Sequence, residues 1–219
     1  MEQLNETYGD YAQAFGSVRC AKKILWVLIA LMIVVQLASF VLVEFVGVLD
    51  PLHKAATATA TTNPAGTDQA NMWQDVLGWV MPASKFLAFV LAILLSLTLL
   101  LGVQISLAGG LGGAAGLVGA FFWSLVLLAA LTPWQQLFPS SIVCGATYNL
   151  GDLVNFAKTA KADWAGHSVG TFDVIAYYLR FIGYPVVAVL LWLVVGLKFC
   201  RGVRVMNLPE PPASSLPAA

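Results

Sequence analysis

The stretch "SLAGGLGGAAGLVGA", Ser106 to Ala120, decides how this chain is read. Gly110, Gly112 and Ala115 spell G-x-G-x-x-A, the spacing with which a βαβ unit cradles a dinucleotide pyrophosphate. That use needs a strand before the motif, a helix after it and an acid about 20 residues on. Gln135 stands there instead, behind Pro133 and Trp134, and the first acid downstream is Asp152. From Phe86 to Leu131 there is no charged side chain. Such a length suits two membrane helices joined by a turn, not a soluble nucleotide unit. The glycines at 109, 110, 112 and 113 permit the positive φ of a tight reversal. Beyond the turn, Gly112, Gly116, Ala120 and Ser124 recur every four residues. This small-xxx-small face lets another helix approach closely. Its partner is either the second span of the same chain, the simplest case, or another protein.

Composition points the same way. Of 219 residues, 59% are hydrophobic and only 10% are charged; soluble domains carry about 25% charge. The formal net charge is zero, which gives no case for a nucleic-acid partner. Four apolar stretches are long enough to span a bilayer, at about 24–48, 82–108, 114–131 and 172–199. The expected fold is therefore an all-α integral membrane four-helix bundle with a tight Gly-rich inner hairpin between spans 2 and 3. Arg19, Lys22 and Lys23 flank the start of the first span, and Lys198, Arg201 and Arg204 flank the end of the fourth. Basic flanks mark the cytoplasmic side, so both termini are expected inside, in a cell (inner) membrane. Outer loops then run about 49–81 and 132–171. The first apolar run is too long for a cleaved signal peptide, although A-x-A patterns follow at Ala56 and Ala58, and an uncleaved anchor is expected.

Three regions surround the spans: a cytoplasmic segment 1–23, the membrane domain 24–199 and a tail 200–219. In the first, Tyr8, Tyr11, Phe15 and Val18 fall at helical spacing, which predicts an amphipathic helix on the inner surface. The sequon Asn5-Glu6-Thr7 faces the same side and goes unused. The first outer loop, "KAATATATTNPAGTDQAN", has few core-forming residues and reads as extended. Trp73, Trp79, Trp134 and Trp164 are placed as interfacial anchors. After Asn149, a suitable N-cap, Leu150, Leu153, Val154, Ala157 and Trp164 share one helical face, opposite Asp152, Asn155, Lys158, Thr159 and Asp163. This predicts a short amphipathic helix in the second outer loop, lying on the membrane or docked on a partner. The Pro-rich tail "NLPEPPASSLPAA" is expected to be disordered. No internal repeat relates the halves, which argues against the inverted-repeat transporter plan.

Ionisable groups inside spans are default site candidates. Glu44, near the outer end of the first span, and Arg180, about eight residues into the fourth, sit at similar depth. They either pair or snorkel separately to the interface. Gln36 and Ser96 lie near mid-membrane and suit hydrogen bonds between helices. Pro185 is expected to kink the fourth span. His53 and His167 both fall in outer loops, so no histidine is placed to ligate haem within the spans, and their spacing does not favour a metal. Cys20 and Cys200 sit at the inner boundary, and Cys144 is alone outside.

Four spans and two outer loops is also the layout of tetraspanins and claudins, but their cysteine motifs are missing here, so no family resemblance is claimed. With no catalytic or metal motif, an enzyme is not expected. The sequence predicts a non-catalytic accessory, scaffold or assembly subunit of a larger membrane complex, acting through helix packing. The alternative is a small oligomeric transporter or channel using Glu44, Arg180 and Gln36. Expected partners are membrane lipids and either other membrane proteins or further copies of this chain. No cofactor is assigned, since bound lipid or pigment need leave no mark in a sequence.

Overall fold

A computed structural model describes residues 2–50, 64–110, 112–134, 145–161 and 168–206. The regular structure among them is helical. Helix α1 spans Glu2–Glu44, α2 Pro64–Ala108, α3 Ala114–Leu131 and α4 Leu150–Ala160. Helix α5, Thr171–Tyr178, passes through a π turn, Leu179–Gly183, into α6, Tyr184–Val205. Four stretches are long and apolar enough to cross a membrane: Tyr11–Glu44, Asn71–Ala108, Ala114–Leu131 and Thr171–Val205. Large apolar side chains such as Ile24, Leu31, Leu97, Phe122 and Leu190 lie exposed along them. Water would not tolerate so much apolar surface, whereas lipid does.

The spans pack as a closed ring, α1 on α2, α2 on α3, α3 on α6 and α6 back on α1. One core runs along the bundle through Ile29, Leu95, Leu99, Leu117, Leu127 and Val195. A second lies at the end where α1 finishes, around Phe40, Met81, Tyr148, Leu153, Tyr177 and Phe181. We call this the capped end and the opposite one the hairpin end. At the hairpin end, Gly110 (φ 61°) and Gly113 (φ 86°) adopt the left-handed backbone that α2 needs to turn into α3.

The small-residue face has a definite partner. A Cβ on Gly116 would lie 2.5 Å from Gly202 Cα and 2.7 Å from Gly202 N. A Cβ on Gly202 would in turn meet Leu117 N at 3.0 Å. Through this face the third span meets the fourth, backbone to backbone, while its packing on the second span uses other residues. Ala120 and Ser124 continue the buried line. Ser124 donates to Phe121 O of its own helix at 2.7 Å, so it contributes smallness and not a cross-helix bond.

Three segments differ from their sequence-based expectation. Helix α1 is unbroken from Glu2 to Glu44, and Phe15 and Val18 are buried within the bundle. Phe15 stacks on Phe199 at 6.5 Å and, with Val18, packs over Gly102, so these residues serve tertiary packing and not a surface helix. Residues 64–71, expected to be extended, are the first turns of α2; proline at a first helical position loses nothing, because that N–H is unbonded anyway. Pro185 sits beside a change of helix type. It has no N–H for Phe181 O, and just before it the chain winds wider, with Tyr184 N–H reaching Leu179 O five residues back. Residues 51–63 of the expected first outer loop, with His53, the 135–144 segment with Cys144, the 162–167 segment with Trp164 and His167, and the tail beyond Met206 lie outside the described residues.

Candidate functional site

The capped end is closed by a return of the chain after α3. Ala146 N–H donates to Ala130 O at 2.8 Å, tying the returning strand of backbone to the helix it has just left. Gly145 presses on the Thr132 carbonyl where no Cβ would fit. This directs Tyr148 inward, where it is 1% exposed. Its phenol donates to Gln36 O on α1 at 2.8 Å. Burial pushes the Tyr148 phenol well above its ordinary range, so it stays a donor. Asn149 then starts α4, with its N–H donating to Asp152 Oδ2 at 3.4 Å in a loose capping box. Leu153, Ala157 and Ala160 form the buried face of α4. That face meets the second core of this same chain.

Phe181, within the π turn, is the hub of the cap. Its ring centroid lies 4.8 Å from Tyr148, 5.0 Å from Tyr177, 6.0 Å from Phe40 and 6.0 Å from Phe156. The Tyr148 and Phe156 contacts are edge-on, the geometry that ring quadrupoles favour. Arg180 is 7% exposed and lays its guanidinium over Phe156, 4.0 Å from the centroid. A cation on an aromatic face keeps an electrostatic partner while leaving water.

Glu44 ends α1 and is the polar counterpart of that hub. Its carboxylate pairs with Lys161 Nζ at 2.7 Å. It also accepts from Tyr177 O–H at 2.9 Å and Tyr178 O–H at 3.2 Å. Among the described residues its cation is thus Lys161, just past α4, while Arg180 turns to Phe156. Similar depth places two residues at one level without fixing which sides of their helices they occupy. Gln36 lies deeper and joins α1 to α2, its Nε2 donating to Ser84 Oγ at 2.8 Å and Met81 O at 3.1 Å. Among the described residues its Oε1 is buried without a hydrogen-bond partner. Ser96, by contrast, donates to Ala92 O in its own helix at 3.0 Å.

Of the expected anchors, Trp79 is 82% exposed and Trp73 and Trp134 are half-buried. The Trp134 indole N–H donates to Ala129 O at 2.6 Å. Phe45, Phe86 and Phe172 are also exposed near the capped end, which gives it an aromatic rim. Among the described residues no three of His, Cys, Asp and Glu come together as metal ligands.

Two features escaped sequence reasoning. Trp26 and Trp192 stack at 3.7 Å, and each indole N–H donates to the other's carbonyl, at 3.3 and 2.9 Å. This clasp joins the first and fourth spans. Trp192, well inside the expected fourth span, was the available signal, since interfacial tryptophans sit at the ends; Trp26 stands at the start of the expected first span and gave none. The second feature is Lys85, buried inside α2 with its Nζ 3.5 Å from Asn149 Oδ1.

Compared with known proteins, the chain matches no family model, no curated protein and no solved structure.

Proposed function

We propose that this chain is a non-catalytic multi-pass membrane protein that serves as an accessory or assembly subunit of a larger membrane complex. The observation that carries the proposal is the use made of the ionisable groups at the capped end. Glu44 is held by Lys161, Tyr177 and Tyr178, and Arg180 lies on Phe156. These contacts bind spans to cap, which supports a structural role for the side chains over a share in a water-lined path. Four spans in a ring then offer their outward faces to lipid or to a neighbouring protein.

Both termini are placed in the cytoplasm on this proposal. Arg19, Lys23, Lys198, Arg201 and Arg204 gather at the hairpin end, and the aromatic rim marks the capped end. The positive-inside rule then puts the hairpin inside and α4 outside. The partner surface is not the Gly116 face, which the fourth span already occupies. An outward stripe of the third span, Val118, Phe122 and Leu125, remains available.

A transporter or channel is the second proposal, and one observation favours it. Arg180 and Phe181 sit on a π turn, a helix type found often at functional sites. Purification from the native membrane in mild detergent separates the two. A larger assembly holding one other protein at fixed ratio supports the subunit. A pure homo-oligomer that passes ions or solutes in liposomes, and loses flux on Arg180→Gln, overturns it.

A further inference from the structure

Lys85 is a buried cation without an adequate partner among the described residues. It is 4% exposed, one turn past Pro82 where the apolar run of α2 begins. An ammonium has three N–H groups to satisfy. The hydrogen bond described for it, to Asn149 Oδ1, is 3.5 Å long. The charges acting on it are Asp152 and Arg180. A buried ammonium with one long hydrogen bond is unfavourable in an apolar setting unless an anion completes it.

Space for that anion adjoins the lysine. A cavity of about 210 Å³ is lined by Pro82, Lys85, Phe86, Phe89, Pro133 and Asn149. It is smaller than the ~300–1,000 Å³ of ordinary ligand pockets, so it suits one small charged group. Its chemistry is graded along α2. Lys85 and Asn149 form the polar part, and Phe89 lies one turn further into the apolar run. Phe86 is 70% exposed on the outward side, so the cavity borders the lipid-facing surface. Trp79, 82% exposed one and a half turns before Lys85, marks the interfacial level at which headgroups lie.

We infer that this cavity binds the headgroup phosphate of an anionic phospholipid, with Lys85 as the cation, Asn149 as a second polar contact and Phe86 and Phe89 beside the first acyl carbons. The lipid bridges α2 and the start of α4, so it fastens the cap to the bundle. The inference does not depend on the subunit proposal, since either function allows a structural lipid.

Native mass spectrometry on the full-length protein in neutral detergent tests it, with dioleoyl phosphatidylglycerol, dioleoyl phosphatidylcholine and inorganic phosphate as probes. One phosphatidylglycerol should bind about tenfold or more tighter than phosphatidylcholine, whose phosphate is the same but whose quaternary ammonium brings a further cation beside Lys85. Lys85→Gln should erase the difference and Lys85→Arg should keep it. Should Lys85→Gln fail to fold, Asn149→Asp replaces it. Aspartate caps a helix as well as asparagine does, yet it sets a carboxylate beside the amine. This variant should also lose about tenfold in phosphatidylglycerol affinity. Equal binding of the two lipids, or undiminished phosphatidylglycerol binding by Asn149→Asp, overturns the site. Full competition by millimolar inorganic phosphate overturns the lipid as its ligand.

Discussion

Glu44 shows how a single residue's role depends on helix rotation as well as depth. Its carboxylate holds Lys161, Tyr177 and Tyr178, three groups from the cap and the fourth span. With Glu44 only 9% exposed, its carboxylate left without Lys161 would be a poorly solvated charge. A double-mutant cycle of Glu44→Gln with Lys161→Gln should give a coupling of roughly 0.5–3 kcal/mol in thermal or denaturant unfolding. The same cycle with Arg180→Gln should be additive within about 0.5 kcal/mol. Strong Glu44–Arg180 coupling would contradict the described geometry. Both residues stood out in the sequence as charges in apolar runs. Their true neighbours did not, because Lys161 and Phe156 reach them only through the return of the chain after α3.

Among elements, the four long helices were legible because an apolar run of that length has one plausible solvent. Helix α4 starts after Asn149 and buries the face carrying Leu153 and Ala157. What that face covers was not legible. Amphipathicity announces a buried side without naming the surface that buries it. Here Tyr148 and Gly145 aim the helix at the capped end of its own bundle. Leu153, fully buried, is its main anchor. Leu153→Ala should cost about 2–5 kcal/mol of docking. Hydrogen exchange should show the amides of 150–160 opening while those around Leu95 and Leu127 keep their protection. If both groups opened together, the cap would be part of the bundle's own cooperative unit. The π turn was likewise hidden, since Pro185 signals a lost hydrogen bond without saying how the chain will replace it.

At the scale of the molecule, the bundle has a basic hairpin end and an aromatic capped end, and the proposed orientation rests on that contrast. Cys20 and Cys200, free and exposed near the hairpin end, report it. A membrane-impermeant maleimide should label neither in intact cells and both after permeabilisation; labelling of either beforehand would invert the topology. The glycine-rich stretch reads in the sequence as a close-packing surface without a named partner, and in the fold its Gly116 lies against Gly202. Small residues say that something comes near, and only the folded chain shows that Gly202 does. The third and fourth spans are thereby locked within one molecule. The most direct test is thermal unfolding of purified Gly116→Leu beside the wild-type protein in the same detergent. A side chain there meets the backbone of Gly202 and cannot be accommodated by a change of rotamer. The account predicts that the isolated variant unfolds at a markedly lower temperature or fails to fold. A variant that melts like the wild type, and fails only to join a larger assembly, would contradict it.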